Sequence, residues 1–316
     1  MNGRIGCRAG LALLALGALA LAQRTSETVA SRRPDKLAGS TAVPTSRAFR
    51  VNSTQVLIPV GVRDKKGRVI EGLAAADFEL FDNGVRQTIL QCTLEKGVRD
   101  TVIVFDQSES MRPEIAVVNQ AVRTFVKEAA AGDKISVIAV RDSADVDVAP
   151  TRDTDQVLSE LEPVVAEGRT ALFDGVYLGL DRLLKARAAQ SAVLILSDGG
   201  DNSSRYHARD LRNIAIEAGA TIHSIVTSPP GFPLSPESQG QATMKLLAEE
   251  TGGWFWAARG KSEIATLVGR LQSDPHYLLA YTPTDVRLDG RHHRVSVKVR
   301  RPEGLRLTWR RSYANE

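Results

Sequence analysis

Asp106, Ser108 and Ser110 stand at alternate positions directly after the apolar run Val102-Ile103-Val104-Phe105. Two more oxygen-bearing side chains fall in similar places. Thr170 ends Gly168-Arg169-Thr170, and Asp198 follows the apolar run Val193-Leu194-Ile195-Leu196 within Ser197-Asp198-Gly199-Gly200-Asp201. Three hydroxyls and two carboxylates, with no His or Cys, suit a hard divalent cation such as Mg²⁺ and disfavour zinc or copper. Mn²⁺ or Ca²⁺ can occupy oxygen sites of the same kind. If the hydroxyls coordinate directly and the acids act through water, the direct protein ligands are neutral. The ion then stays electrophilic, with a position left for an external carboxylate. Asp-x-Ser-x-Ser alone is also ordinary capping and turn sequence. The weight lies in the set of five, each on a loop beside a strand or helix end. Asp201 and Asp174 are further candidates, as ligands or as supports behind the ligands, and helix N-capping is the competing explanation for Asp174.

Such a set needs a scaffold that brings strand ends together. From Asp100 onward, apolar strand patterns at 101–106, 135–140, 145–149, 192–197, 220–226 and 254–257 alternate with helical patterns near 114–130, 154–161, 174–187, 207–218, 241–251 and 262–273. That grammar predicts a doubly wound, mainly parallel α/β sheet, which binds ligands at the carboxyl ends of its strands. Between 141 and 153 there is room only for an edge hairpin, and 228–240, rich in Pro, Gly and Ser, reads as a long surface loop. Trp254-Phe255-Trp256 reads as an aromatic edge strand against a helix. His292 and His293, adjacent on a strand, point to opposite faces and make a poor chelate. Arg310 and Arg311 are expected to be solvated.

The flanks follow a different rule. Residues 49–62 alternate, Asp82-Asn83-Gly84 is a strong hairpin signal, and 277–281, 293–299 and 305–309 alternate again. Each flank is too small to bury a comfortable core alone. They are therefore expected to join as a β-sandwich-like domain (48–97 plus 275–313), with the α/β domain (98–274) inserted. Residues 23–47 read as a disordered leader. Residues 1–22, with Arg4, Arg8, an apolar stretch from Leu11 and the ending Ala20-Leu21-Ala22, have the three-part pattern of a secretory signal. The expected product is exported, periplasmic, cell-surface or extracellular, without a membrane span after cleavage. Losing Arg4 and Arg8 takes the formal charge from +4 to +2, and no basic run is interleaved with aromatics, so nucleic acid is not an expected partner. Cys92 is then the one remaining cysteine, so packing rather than an internal disulfide must hold the fold.

Asp106-x-Ser108-x-Ser110, Thr170 and Asp198 together resemble the metal-ion-dependent adhesion site of von Willebrand factor A domains. The resemblance spans roughly residues 98–273. It implies direct coordination by Ser108, Ser110 and Thr170, with Asp106 and Asp198 mostly through water. Asp77-Phe78-Glu79-Leu80-Phe81-Asp82-Asn83-Gly84, Ser197-Asp198-Gly199-Gly200-Asp201-Asn202, Thr251-Gly252-Gly253 and Tyr277-Leu278-Leu279-Ala280-Tyr281 resemble a bacterial, Acidobacteriota-type subgroup of exported relatives. The function implied is a binding module that captures an acidic group of a protein partner through the cation. Two other readings stay open: a metal-assisted hydrolase, and a structural envelope component with no external ligand. No catalytic residues are assigned, because Glu109 and Asp201 are the only nearby bases and neither a Gly-x-Ser-x-Gly nor a Gly-Lys-Ser/Thr motif is present. Partner identity and oligomeric state are not encoded in any motif.

Overall fold

Why Val102 to Phe105 can all be apolar becomes clear from the sheet they enter, which is covered on both faces. The computed structural model describes residues 55–95, 99–161, 164–187, 190–227, 236–272, 275–285, 292–300 and 304–314. These belong to one compact unit, Asn52–Glu316. The expected signal and leader, the turn at Asp289-Gly290 and residues 228–235 lie outside the described residues.

In chain order the structure runs β1 (Val56–Arg63), β2 (Phe78–Asp82), β3 (Val85–Gln87), β4 (Ile89–Glu95), then β5 (Asp100–Asp106) and α1 (Ile115–Lys127). Next come β6 (Lys134–Val140), β7 (Ala144–Thr151), α2 (Thr154–Glu160), α3 (Leu172–Ala186), β8 (Ser191–Ser197) and α4 (Ala208–Ala218). The chain continues through β9 (Thr221–Val226), α5 (Pro236–Thr251), β10 (Phe255–Ala257) and α6 (Lys261–Gln272). It ends with β11 (His276–Tyr281), β12 (His292–Val299), β13 (Arg306–Trp309) and β14 (Ser312–Ala314).

The central sheet has the order β10-β9-β8-β5-β6-β7, parallel except for the antiparallel edge strand β7. Alternation along β5 divides the core. Ile103 and Phe105 pack with α1 and α6, through Val122, Leu267 and their neighbours. Val102 and Val104 pack on the other face with Leu180 of α3, Leu211 of α4 and Leu247 of α5. The fold is the expected α/β arrangement with additional antiparallel sheets.

Those additional sheets are β13-β1-β11-β4 and β14-β12-β2-β3, and each draws strands from both flanks of the α/β segment. Their inner faces share one core, in which Ile58, Val60 and Leu279 meet Phe78, Leu80, Val295 and Val297. The β2–β3 hairpin turns on Asn83 (φ 48°) and Gly84 (φ 81°), the left-handed pair that a two-residue turn between twisted strands requires. A polar group lies inside this apolar layer. The buried Asp82 carboxylate contacts His293 Nδ1 at 2.9 Å and accepts the Tyr281 and Tyr313 hydroxyls at 3.0 and 2.8 Å.

Two expectations are corrected. Residues 236–240 are not loop: α5 begins at Pro236, where a missing N–H costs the first helical turn nothing. Arg310 is not solvated. Its guanidinium donates to the Gly219 carbonyl at the end of α4, where the helix leaves acceptors unpaired, and burial pushes its pKa down. The junction between the α/β segment and the sandwich is built around it. Arg311 N donates to Glu250 O at 2.8 Å, and the Arg63 guanidinium lies 5.1 Å over the Trp254 ring. The α4 and α5 ends held there precede β9 and β10, so the sandwich grips the end of the sheet where the parallel strands begin.

Candidate metal centre

At the other end of the sheet, β5 finishes in Asp106 and the neighbouring β8 finishes in Ser197, with Phe105 paired to Leu196 just before them. Asp106 is fully buried. Its carboxylate accepts Ser108 N at 3.0 Å and the Ser197 hydroxyl at 2.5 Å. The first bond folds the chain back as an Asx turn, which brings the two serine side chains together with Oγ atoms 3.1 Å apart. Ser108 is buried while Ser110 is exposed, so the pair runs from floor to rim.

Thr170 and Asp198 meet across Gly200. A Cβ at Gly200 would lie 3.2 Å from Asp198 Oδ1 and 4.0 Å from the Thr170 hydroxyl, so glycine leaves the space between them open. Asp198 Oδ1 accepts Gly200 N at 2.8 Å. Thr170 is fixed through its backbone: its N–H donates to Asn202 Oδ1 at 2.9 Å, and its carbonyl accepts both Asn202 N and Ser203 N at 3.0 Å. Glu109 N donates to Gly168 O at 3.1 Å and ties the serine loop to the threonine loop.

Burial pushes the Asp106 pKa up to about 6, the charge of Asp198 pushes the same way, and the bonds from Ser108 and Ser197 oppose it. Burying the Asp106 charge is costly. An ion of the oxygen-loving class would offset that cost, so the donor set fits the cation its chemistry suggests. Among the described residues, no three His, Cys, Asp or Glu side chains cluster as a metal site. A site made mostly of hydroxyls has no such cluster.

Asp201 and Asp174, the two further candidates, are both occupied with the backbone. Asp201 Oδ1 accepts Phe173 N at 3.2 Å and the Ser204 hydroxyl at 2.6 Å, so it supplies the cap for α3. Asp174 lies inside the first turn and is not the N-cap, which is Ala171. Its carboxylate instead holds the next loop, accepting Arg205 N at 2.8 Å, Tyr206 N at 3.1 Å and Arg205 Nε at 3.0 Å.

Two supporting residues were not singled out from sequence. Ser197 bonds Asp106 directly, and a serine ending a strand carries no signal of that. Gln241 on α5 donates its Nε2 to Asp198 O at 2.7 Å, a contact across 43 positions. Beside it, α5 crosses the Asp198 loop so closely that a Cβ at Gly240 would lie 1.7 Å from Gly199 O.

The family model described as von Willebrand factor type A domain matches residues 101–200. No curated protein matches the chain. Among solved structures, it is similar to a von Willebrand factor type A protein from Catenulispora acidiphila, at 13% identity and TM-score 0.49, covering 84% of this chain and 74% of that one. It is also similar to the vWF domain of the type V pili tip protein Mfa5 from Porphyromonas gingivalis, at 13% identity and TM-score 0.46, covering 55% and 94%. A third is proximal thread matrix protein 1 from the mussel byssus with a zinc-occupied MIDAS motif, at 17% identity and TM-score 0.48, covering 60% and 48%. The matched span runs from β5 through the loop after β8, the part of the central sheet that carries the candidate site.

Proposed function

We propose that Asp106, Ser108, Ser110, Thr170 and Asp198 form a metal-ion-dependent adhesion site through which an exported protein captures an acidic group of a protein partner. The observation that carries this reading is a fully buried carboxylate, Asp106, tied to a pair of serine hydroxyls that rise from the buried floor to an exposed rim. Ser108, Ser110 and Thr170 hold the ion directly, and Asp106 and Asp198 supply negative charge from behind. When bound, the ion offers an electrophilic position to a carboxylate from outside. Mg²⁺ fits this donor set, with Mn²⁺ or Ca²⁺ as alternatives. Export rests on the pattern of residues 1–22, and the Acidobacteriota-type likeness points the same way.

Calorimetric titration of the chain with Mn²⁺ tests the site. One ion per chain is expected, with binding lost in Asp106→Ala and weakened in Ser108→Ala and Thr170→Ala while circular dichroism is unchanged. Normal binding by Asp106→Ala sinks the assignment. Partner capture from envelope extract should require Mg²⁺ and fail with chelator.

A further inference from the structure

The outer face of the sheet β14-β12-β2-β3 carries an uneven charge. Along β12, His293, Val295 and Val297 point into the sandwich, while Arg294 and Lys298 are exposed on the other side. Arg300 continues the same alternation beyond the strand end, and is exposed too. The register sets Lys298 opposite Glu79 and sets Arg86 of β3 opposite Phe81. Four cations therefore share this face with one carboxylate from the strands, that of Glu79. Glu79 Oε1 accepts Arg300 Nη2 and Nε at 2.9 and 3.1 Å, and Arg86 Nη2 approaches the same oxygen at 3.5 Å. The Lys298 ammonium lies 5.5 Å over the Phe81 ring.

Arg86 and Arg300 also flank a cleft of about 440 Å³ at the corner where β3 passes into β4. Phe78 and Ile89 give it an apolar floor, and Ala75 and Gln87 help to wall it. Two guanidiniums, one on β3 and one just past the end of β12, already converge on the Glu79 carboxylate oxygen, so the geometry for recognising a carboxylate is in place. Glu79 balances only one of the positive charges there. Half-exposed ion pairs of this kind add little to fold stability, so the fold has little need of them.

We propose that this cleft is a second binding site, independent of the metal centre, for an acidic peptide. A Glu or Asp side chain of the peptide pairs with Arg86 and Arg300, and an apolar neighbour lies on Phe78 and Ile89. The concave shape and apolar floor favour a peptide over a bilayer, which would meet the flat strand face and leave the cleft empty. β3 is the outer strand of its sheet, so a peptide can also lie along its backbone edge. Glu79 acts as an internal competitor for the incoming carboxylate.

Fluorescence anisotropy of the full chain with a labelled peptide of alternating Glu and Leu tests this in EDTA, where the metal centre contributes nothing. Saturable binding is expected, weakened about tenfold or more in Arg86→Ala/Arg300→Ala. Glu79→Gln should tighten binding several-fold, and Asp106→Ala should leave it unchanged. A purely structural ion-pair network would not give tighter binding on loss of Glu79. The proposal is overturned if the wild type shows no saturable binding, if the double variant binds equally, or if a Gln/Leu peptide binds as well. It is also overturned if vesicles rich in phosphatidylglycerol depend on Arg86 and Arg300 while the peptide does not, which would make the face a membrane contact. The metal titration above is unaffected by any of these results.

Discussion

Asp106 is in an uncomfortable position without a cation. It is fully buried, next to another carboxylate, and held by two donors whose bonds only partly offset the burial. Asp106→Asn removes the charge but keeps the shape, so it should separate stability from binding. In EDTA at neutral pH the variant is expected to gain about 1–2 kcal/mol in urea unfolding, while Mn²⁺ binding is lost. A variant that loses both would show that the carboxylate holds the fold rather than an ion. Ser197→Ala reads the same site from the supporting side. It removes the 2.5 Å bond to Asp106 Oδ2 and should weaken Mn²⁺ binding by about tenfold. The five candidate oxygen donors stand out in the sequence because each lies at or beside a strand or helix end, where side-chain type alone suggests a use. Ser197 and Gln241 do not, since their roles exist only once β5 lies beside β8 and α5 crosses the Asp198 loop.

Among the elements, α5 links two places that the sequence leaves far apart. Its first turns carry Gly240 and Gln241 against the Asp198 loop, and its last residues, Glu249 and Glu250, meet Arg311. Gln241→Ala frees the Asp198 carbonyl and should lower Mn²⁺ affinity several-fold with little change in melting. Gly240→Ala pushes a methyl group into Gly199 O, and should cost about 1–3 kcal/mol by chemical denaturation and weaken the ion further. If both variants bind Mn²⁺ normally, the helix does not position Asp198. The early start of α5 was hidden by Pro236, which inside a Pro-rich run looks like loop yet is well tolerated at a helix start. The strands of the α/β segment were easier to read, because their continuous apolar runs have few alternatives once helices separate them.

For the whole molecule, the joining of two undersized β segments followed from what each could bury, and the structure shows them sharing sheets. The polar centre of that sandwich was not foreseen: Tyr281 stood in a pattern read as a strand, and Asp82 in one read as a turn. Burial raises the pKa of Tyr281 and Tyr313, and the Asp82 carboxylate beside them acts in the same direction. Both groups hold their protons more tightly folded than unfolded. Their contribution is complete below the unfolded tyrosine pKa of about 10 and is lost as pH rises above it. Urea midpoints should therefore fall from about pH 10 upward, and the fall should be shallower in Tyr281→Phe. An unaltered slope in that variant would assign alkaline unfolding to other groups. Arg310→Ala should lower stability by about 1–3 kcal/mol by leaving the Gly219 carbonyl without its donor.

The chain leaves the sandwich from β4 and returns to it in β11, and those strands lie side by side with Glu95 paired to His276 at the point of departure. A tug on the α/β segment would therefore draw two adjacent ribbons in the same direction instead of peeling one from the other. Such a load falls on the pairs that join β11 to β1 on its far side, from Val60–Tyr277 to Val56–Tyr281. The α/β segment is thereby anchored through two neighbouring strands of one sheet rather than through a single strand.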